Sequence, residues 1–111
     1  MKPTISYEDF AKLEFRVAKI NKAEEIEKAE ELYKMTLDLG EKIGERVICS
    51  GLKKYYSIEE LEGKLIIVII NLASRKLMRI ESQGMLLAAD ENGKPTLIVP
   101  EKNVKIGSLI S

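Results

Sequence analysis

Arg75, Lys76 and Arg79 fall within one short stretch, with Ser82 and Gln83 just after them and Asn71 just before, and no other part of the chain concentrates so many groups suited to binding. Guanidinium and ammonium groups displace condensed counterions, and arginine can give two parallel hydrogen bonds to phosphate oxygens. Such a segment suits a polyanion. Ser82, Gln83 and Asn71 add neutral donors and acceptors for sugar or base edges, and a thioether such as Met78 or Met85 can lie against a base face. The same residues have ordinary uses as well. Charge runs are commonly solvated surface, Asn71 can cap a strand end, Ser82 can satisfy loop backbone, and the methionines can pack. Spacing alone leaves both readings open.

Elsewhere Lys53-Lys54-Tyr55-Tyr56 pairs two cations with two aromatics, a combination able to stack a base while holding a phosphate; Lys34 adds a further cation. With no Trp and two Phe, an extended stacking platform is not expected, which favours recognition of backbone and shape. The chain carries 18 basic and 18 acidic residues, so it has no global positive field and any polyanion site must be local. Glu24, Glu25, Glu30 and Glu31 read as a solvated acidic face. No histidine is present and Cys49 is the single cysteine, which removes the commonest general base and the usual zinc ligands. The expectation is a non-catalytic protein without cofactor or metal. The longest apolar run, Leu65 to Ile70, is far below the roughly 20 residues needed to cross a bilayer. The N-terminus lacks a secretory pattern and one cysteine builds no disulfide framework; a cytoplasmic location is expected.

These residues require elements to hold them. Ser6-Tyr7-Glu8-Asp9 and Ser57-Ile58-Glu59-Glu60 are hydroxyl N-caps followed by an acid, opening short helices over Tyr7 to Lys12 and after Ser57, the second stopped by Gly63. Phe15 to Ile20 is β-rich, and the acidic segment from Glu24 to Glu31 is expected as an exposed turn or loop. Tyr33, Met35, Leu37 and Leu39 alternate with polar residues, the pattern of a half-buried strand. Arg46 to Ser50 reads as another strand, with Cys49 as a buried small hydrophobe. Leu65 to Ile70 is apolar on both faces and predicts a central strand covered on two sides. Asn71 to Met85 is expected as a basic loop, followed by strands over Met85 to Asp90 and Thr96 to Val99 joined at Asn92-Gly93, a favoured tight turn. Val104 to Ile110 is a last apolar segment. Five to seven short strands with one small helix between the third and fourth predict an all-β, Greek-key barrel of the OB type. An SH3-like barrel and an open α+β sheet are the alternatives.

Phe15-Arg16-Val17, Asp38-Leu39-Gly40, Ser50-Gly51-Leu52-Lys53-Lys54-Tyr55-Tyr56, Asn71-Leu72 and, above all, Glu81-Ser82-Gln83-Gly84-Met85-Leu86-Leu87-Ala88-Ala89 resemble the tRNA-binding domain appended to methionyl-tRNA synthetases. That domain also occurs in free-standing tRNA-binding proteins and in cytokine-precursor cofactors of eukaryotic synthetase complexes. The resemblance runs from about Ile5 to the C-terminus. It implies one domain over residues 1–111, a five-stranded Greek-key OB-fold barrel with a C-terminal hairpin and tail, and a homodimer that uses residues 91–111 as its extension. The implied function is non-catalytic, structure-specific tRNA binding that assists a methionyl-tRNA synthetase, with Lys34, Lys53, Lys54, Asn71, Arg75, Lys76, Met78, Arg79, Ser82, Gln83 and Met85 as tRNA contacts. The alternative is a dimeric protein-interaction module with chaperone-like peptide binding. The chain departs from the pattern where Glu27 and Ala29-Glu30 replace a His-Pro motif, at Ala73-Ser74, and at Ala18; weaker tRNA affinity is the expected consequence.

Overall fold

The computed structural model describes residues 1–111 and is built from nine short strands and two short helices. Helix α1 (Tyr7–Ala11) begins where the Ser6 Oγ accepts a hydrogen bond from the Asp9 N–H at 3.1 Å. It buries none of its own residues. Strand β1 (Phe15–Glu25) is longer than its β-rich start predicts, because Glu24 and Glu25 continue it opposite Lys34 and Tyr33 of β2 (Tyr33–Asp38). Pairing, and not the exposure of the two carboxylates, decides their conformation. The acidic loop is confined to the residues after Glu25.

The first half of β1 pairs with β4 (Leu65–Ile69) and the second with β2, with a break in register between Ile20 and Lys22 where the strand bends. Such an irregularity increases local twist and lets one strand serve two sides of a barrel. Strand β3 (Glu45–Ser50) pairs with the far edge of β2, and β7 (Met85–Leu86) pairs with β4, giving the order β3-β2-β1-β4-β7. Helix α2 (Ile58–Leu61) lies between β3 and β4. Its Ser57–Glu60 capping box is complete, and Leu61 enters the core. This is the OB arrangement.

The alternation of β2 is realised: Tyr33, Met35 and Leu37 are buried and the residues between them are not. They join Ile20, Ile48, Leu52, Leu61, Ile66 and Val68 in one cluster. β4 is buried on both faces, as its unbroken apolar run requires. Cys49 differs from expectation: it is half-buried, on the face of β3 that alternates away from Ile48.

The segment expected as a loop after Asn71 contains a second small sheet. Strands β5 (Arg75–Leu77) and β6 (Ile80–Ser82) form a two-stranded hairpin with Met78-Arg79 at its turn. Strands β8 (Ala88–Glu91) and β9 (Lys94–Leu97) form another, turning at Asn92-Gly93 as predicted. The C-terminal tail makes no strand of its own. It runs along the β1 edge that β2 leaves free, with hydrogen bonds from Gly107 N to Val17 O, Val17 N to Ser108 O and Ile110 N to Phe15 O. Gly107 is required there: its φ is +90°, and a Cβ would lie 2.6 Å from the Leu39 carbonyl oxygen.

Candidate nucleic-acid interface

The β5–β6 hairpin projects from the join between β4 and β7, and its root closes the barrel. The free edge of β3 carries backbone N–H groups that need acceptors. Ser82 Oγ accepts from Cys49 N at 3.0 Å and Gln83 Oε1 accepts from Val47 N at 2.9 Å. Gln83 N donates in turn to Val47 O at 2.8 Å. Two side-chain oxygens thus stand where a neighbouring strand would place carbonyls. Arg46 reinforces the join from below, its Nη1 donating to Ile70 O at 2.9 Å and to Gln83 O at 3.4 Å. Gly84 has no room for a side chain, because a Cβ would sit 2.7 Å from the Ile69 carbonyl oxygen and φ is +143°. The Ser82-Gln83-Gly84 segment therefore has an architectural task, and the Gln83 side-chain nitrogen is left without a protein partner.

The tip of the hairpin is different. Arg75, Lys76 and Arg79 are exposed, and none forms an ion pair or a side-chain hydrogen bond. Met78 and Arg79 both adopt positive φ, 52° and 70°, as a two-residue hairpin turn requires. Met78 is 46% exposed and Met85, at the start of β7, 53% exposed, so neither packs into the core. Across from the tip lies the β1–β2 loop. Ile26, Glu27 and Lys28 line one side of a cleft of about 470 Å³, and Met78 and Arg79 line the other.

The remaining expected contacts are held elsewhere. Lys34 lies 4.0 Å from Glu24, Lys53 2.8 Å from Glu25, and Lys54 3.3 Å from Glu31. Lys53 Nζ also donates to the Ala29 carbonyl at 3.1 Å, so both lysines of the Lys53-Lys54 pair stitch the β1–β2 loop to the segment after β3. Tyr56 is half-buried and its hydroxyl accepts from Leu97 N, while Tyr55 is 45% exposed. Burial pushes the Cys49 thiol above its usual range, opposed by the Lys34 ammonium beside it. Asn71 uses both ends of its amide on the N-terminal segment, accepting from Glu14 N at 2.8 Å and donating to Lys12 O.

Sequence reading thus gathers eleven candidates, of which the fold brings Arg75, Lys76, Met78 and Arg79 together at one tip. It missed the opposing Ile26, Glu27 and Lys28, and Arg46 beneath the root. A lone cation inside an acidic loop gives no local sign of what it faces. Arg46 gave no signal at all in a strand of mixed pattern.

A model of the tRNA binding domain family matches residues 15–109. The methionine–tRNA ligase of Caldanaerobacter subterraneus subsp. tengcongensis is 53% identical over 107 residues, which cover 96% of this chain and 16% of that enzyme. The chain therefore spans about a sixth of the length of such relatives. Among solved structures, the MetRS related protein of Pyrococcus horikoshii superposes with a TM-score of 0.91 at 34% identity, covering 99% of this chain and all of that one. The chaperone CsaA of Bacillus anthracis str. Ames gives a TM-score of 0.88 at 25% identity, covering 98% of this chain and all of that one. By sequence and by fold, the chain belongs to the tRNA binding domain family.

Proposed function

We propose that the chain is a non-catalytic module that binds tRNA by its shape and raises the affinity of a methionyl-tRNA synthetase for tRNA, as a part or a partner of that enzyme in the cytoplasm. The observation that carries this reading is the hairpin tip. Arg75, Lys76 and Arg79 form no ion pair, even though Glu81 stands opposite Lys76 with its carboxylate held by Ser74, whereas Lys34, Lys53 and Lys54 are each paired with a glutamate. Unpaired cations on a projecting hairpin are free to replace counterions on phosphate. Lys53 and Lys54 then act chiefly in holding the loop beside the tip, and Lys34 in pairing with Glu24 across β1 and β2. Ser82 and Gln83 place the hairpin, and Asn71 anchors the N-terminal segment.

A homodimer accompanies this proposal. Leu109 is 60% exposed and Tyr7 80% exposed, with Phe10 and Leu13 near 40%, on the two segments that border one shared hollow. Residues 91–111 and the neighbouring α1 would cover one another across a twofold axis. Light scattering of the full chain reads the result directly: a mass near 12.5 kDa contradicts the dimer, and twice that mass supports it.

The binding test is an anisotropy titration with bulk tRNA at several salt concentrations, comparing the wild type with Arg75→Ala/Lys76→Ala/Arg79→Ala. Removing three phosphate contacts should flatten the log-log salt dependence by about 2 to 3. Unchanged affinity in the triple variant refutes the site. The similarity to the CsaA chaperones supports a second reading, peptide binding, together with the exposed Met78 and Met85. Displacement of bound tRNA by an apolar peptide, with little effect of salt, would favour that reading.

A further inference from the structure

The cleft beside the hairpin tip combines side chains that no single simple ligand class would need. Ile26 and Met78 offer apolar walls, Lys28 and Arg79 bring cations, and Glu27 adds a carboxylate. None of the three charged residues has an ion-pair partner. A phosphate group alone would meet the Glu27 carboxylate, which accepts hydrogen bonds and cannot donate them. An apolar peptide side chain would leave three charges unanswered. An unstacked nucleobase answers all five residues: its faces lie against the thioether and the isoleucine, its ring-edge N–H groups meet the carboxylate, and its flanking phosphates meet the cations.

We infer that this cleft receives one unstacked base of a structured RNA, with guanine favoured because its N1–H and N2–H groups can both donate to the Glu27 carboxylate. The inference rests on the proposed RNA binding and deepens it. Phosphate contacts along Arg75 and Lys76 position the backbone, and the cleft selects for a nucleotide that has left the stack. The turn geometry agrees with this role. Met78 and Arg79 occupy left-handed backbone conformations that glycine or asparagine would adopt with less strain, and the side chains gained in exchange are the two that line the cleft.

The test uses the full chain and RNA duplexes of equal length that carry one bulged guanine, one bulged adenine or no bulge. The bulged-guanine duplex is expected to bind about tenfold more tightly than the plain duplex. Met78→Asn keeps a residue suited to positive φ but removes the thioether; it should reduce the bulge preference by about twofold to tenfold, the range of a sulfur–aromatic contact, by weakening the bulged duplex more than the plain one. Glu27→Gln should abolish the preference for guanine over adenine, since an amide pairs as well with adenine. Equal binding of bulged and plain duplexes by the wild type overturns the inference. So does a Met78→Asn loss that is the same for both. If bulk tRNA binds but neither bulged duplex does, the inference falls and the RNA-binding reading stands; if bulk tRNA also fails to bind in a salt-dependent way, both fall.

Discussion

Ser82→Ala removes one oxygen from a nearly dry site, and the consequences can be worked out from its partners. Ser82 is 4% exposed and its Oγ is the acceptor for Cys49 N. Alanine leaves that strand-edge N–H without a partner, a loss of about 1–3 kcal/mol for a buried donor. Against a total stability on the order of 5–15 kcal/mol, this lowers the melting temperature by roughly 4–24 °C, taking about 4–8 °C per kcal/mol for a domain of about this size. Gln83→Leu does the same to Val47 N at a half-buried position and should sit at the lower end of that range. Because both side chains hold the same edge of β3, their effects should not add simply. Circular dichroism melts and urea titrations of the two single variants and the double variant provide the measurement. Neither residue carries charge, so the salt slope of tRNA binding, measured well below the melting temperature, should match the wild type. A Ser82→Ala protein with unchanged melting temperature but lost tRNA affinity would show that Ser82 serves the RNA and not the strand.

Gly84→Ala should be more damaging than either, since the added Cβ meets backbone at 2.7 Å, where no side chain can move aside; poor soluble yield or a melting temperature below that of Ser82→Ala is expected in a thermal scan. The capping box of α2 makes stability depend on acidity. The backbone N–H and hydroxyl of Ser57 hold the Glu60 carboxyl below the usual carboxylate range. Its contribution is therefore fully present above that range and is lost as pH falls through the lowered folded-state value. Glu60→Gln should flatten this part of the stability profile, measured by urea midpoints from pH 7 down to pH 3, and an unchanged profile would refute the assignment.

Much of the barrel was legible because its signals are local. Alternation marked β2, an unbroken apolar run marked β4, a serine N-cap followed by acids opened each helix, and Asn92-Gly93 announced the β8–β9 turn. The β5–β6 hairpin had no such sign. Its turn is Met78-Arg79, and two residues with full side chains at positive φ do not read as a turn in sequence. The length of β1 was hidden for a related reason: Glu24 and Glu25 look like loop residues until β2 is placed beside them. Pairing of Lys53 and Lys54 with Glu25 and Glu31 joins residues far apart in the chain, and no spacing rule reports it.

The division of labour along the hairpin explains why its most recognisable residues are not its most reactive ones. Ser82, Gln83 and Gly84 stand out in sequence because barrel closure admits few substitutes: two acceptors at fixed positions and a residue with no side chain. The departure at Ala73-Ser74 is absorbed within the hairpin itself, where Ser74 Oγ donates to Glu81 Oε1 at 2.7 Å and ties the two legs together. Beyond that tie, Arg75, Lys76, Met78 and Arg79 touch little of the barrel. Substitutions at the tip can therefore retune its charge with little effect on stability, whereas substitutions at the root change stability first. Loss of binding without loss of stability is accordingly the signature that separates a contact residue from a scaffold residue in this chain.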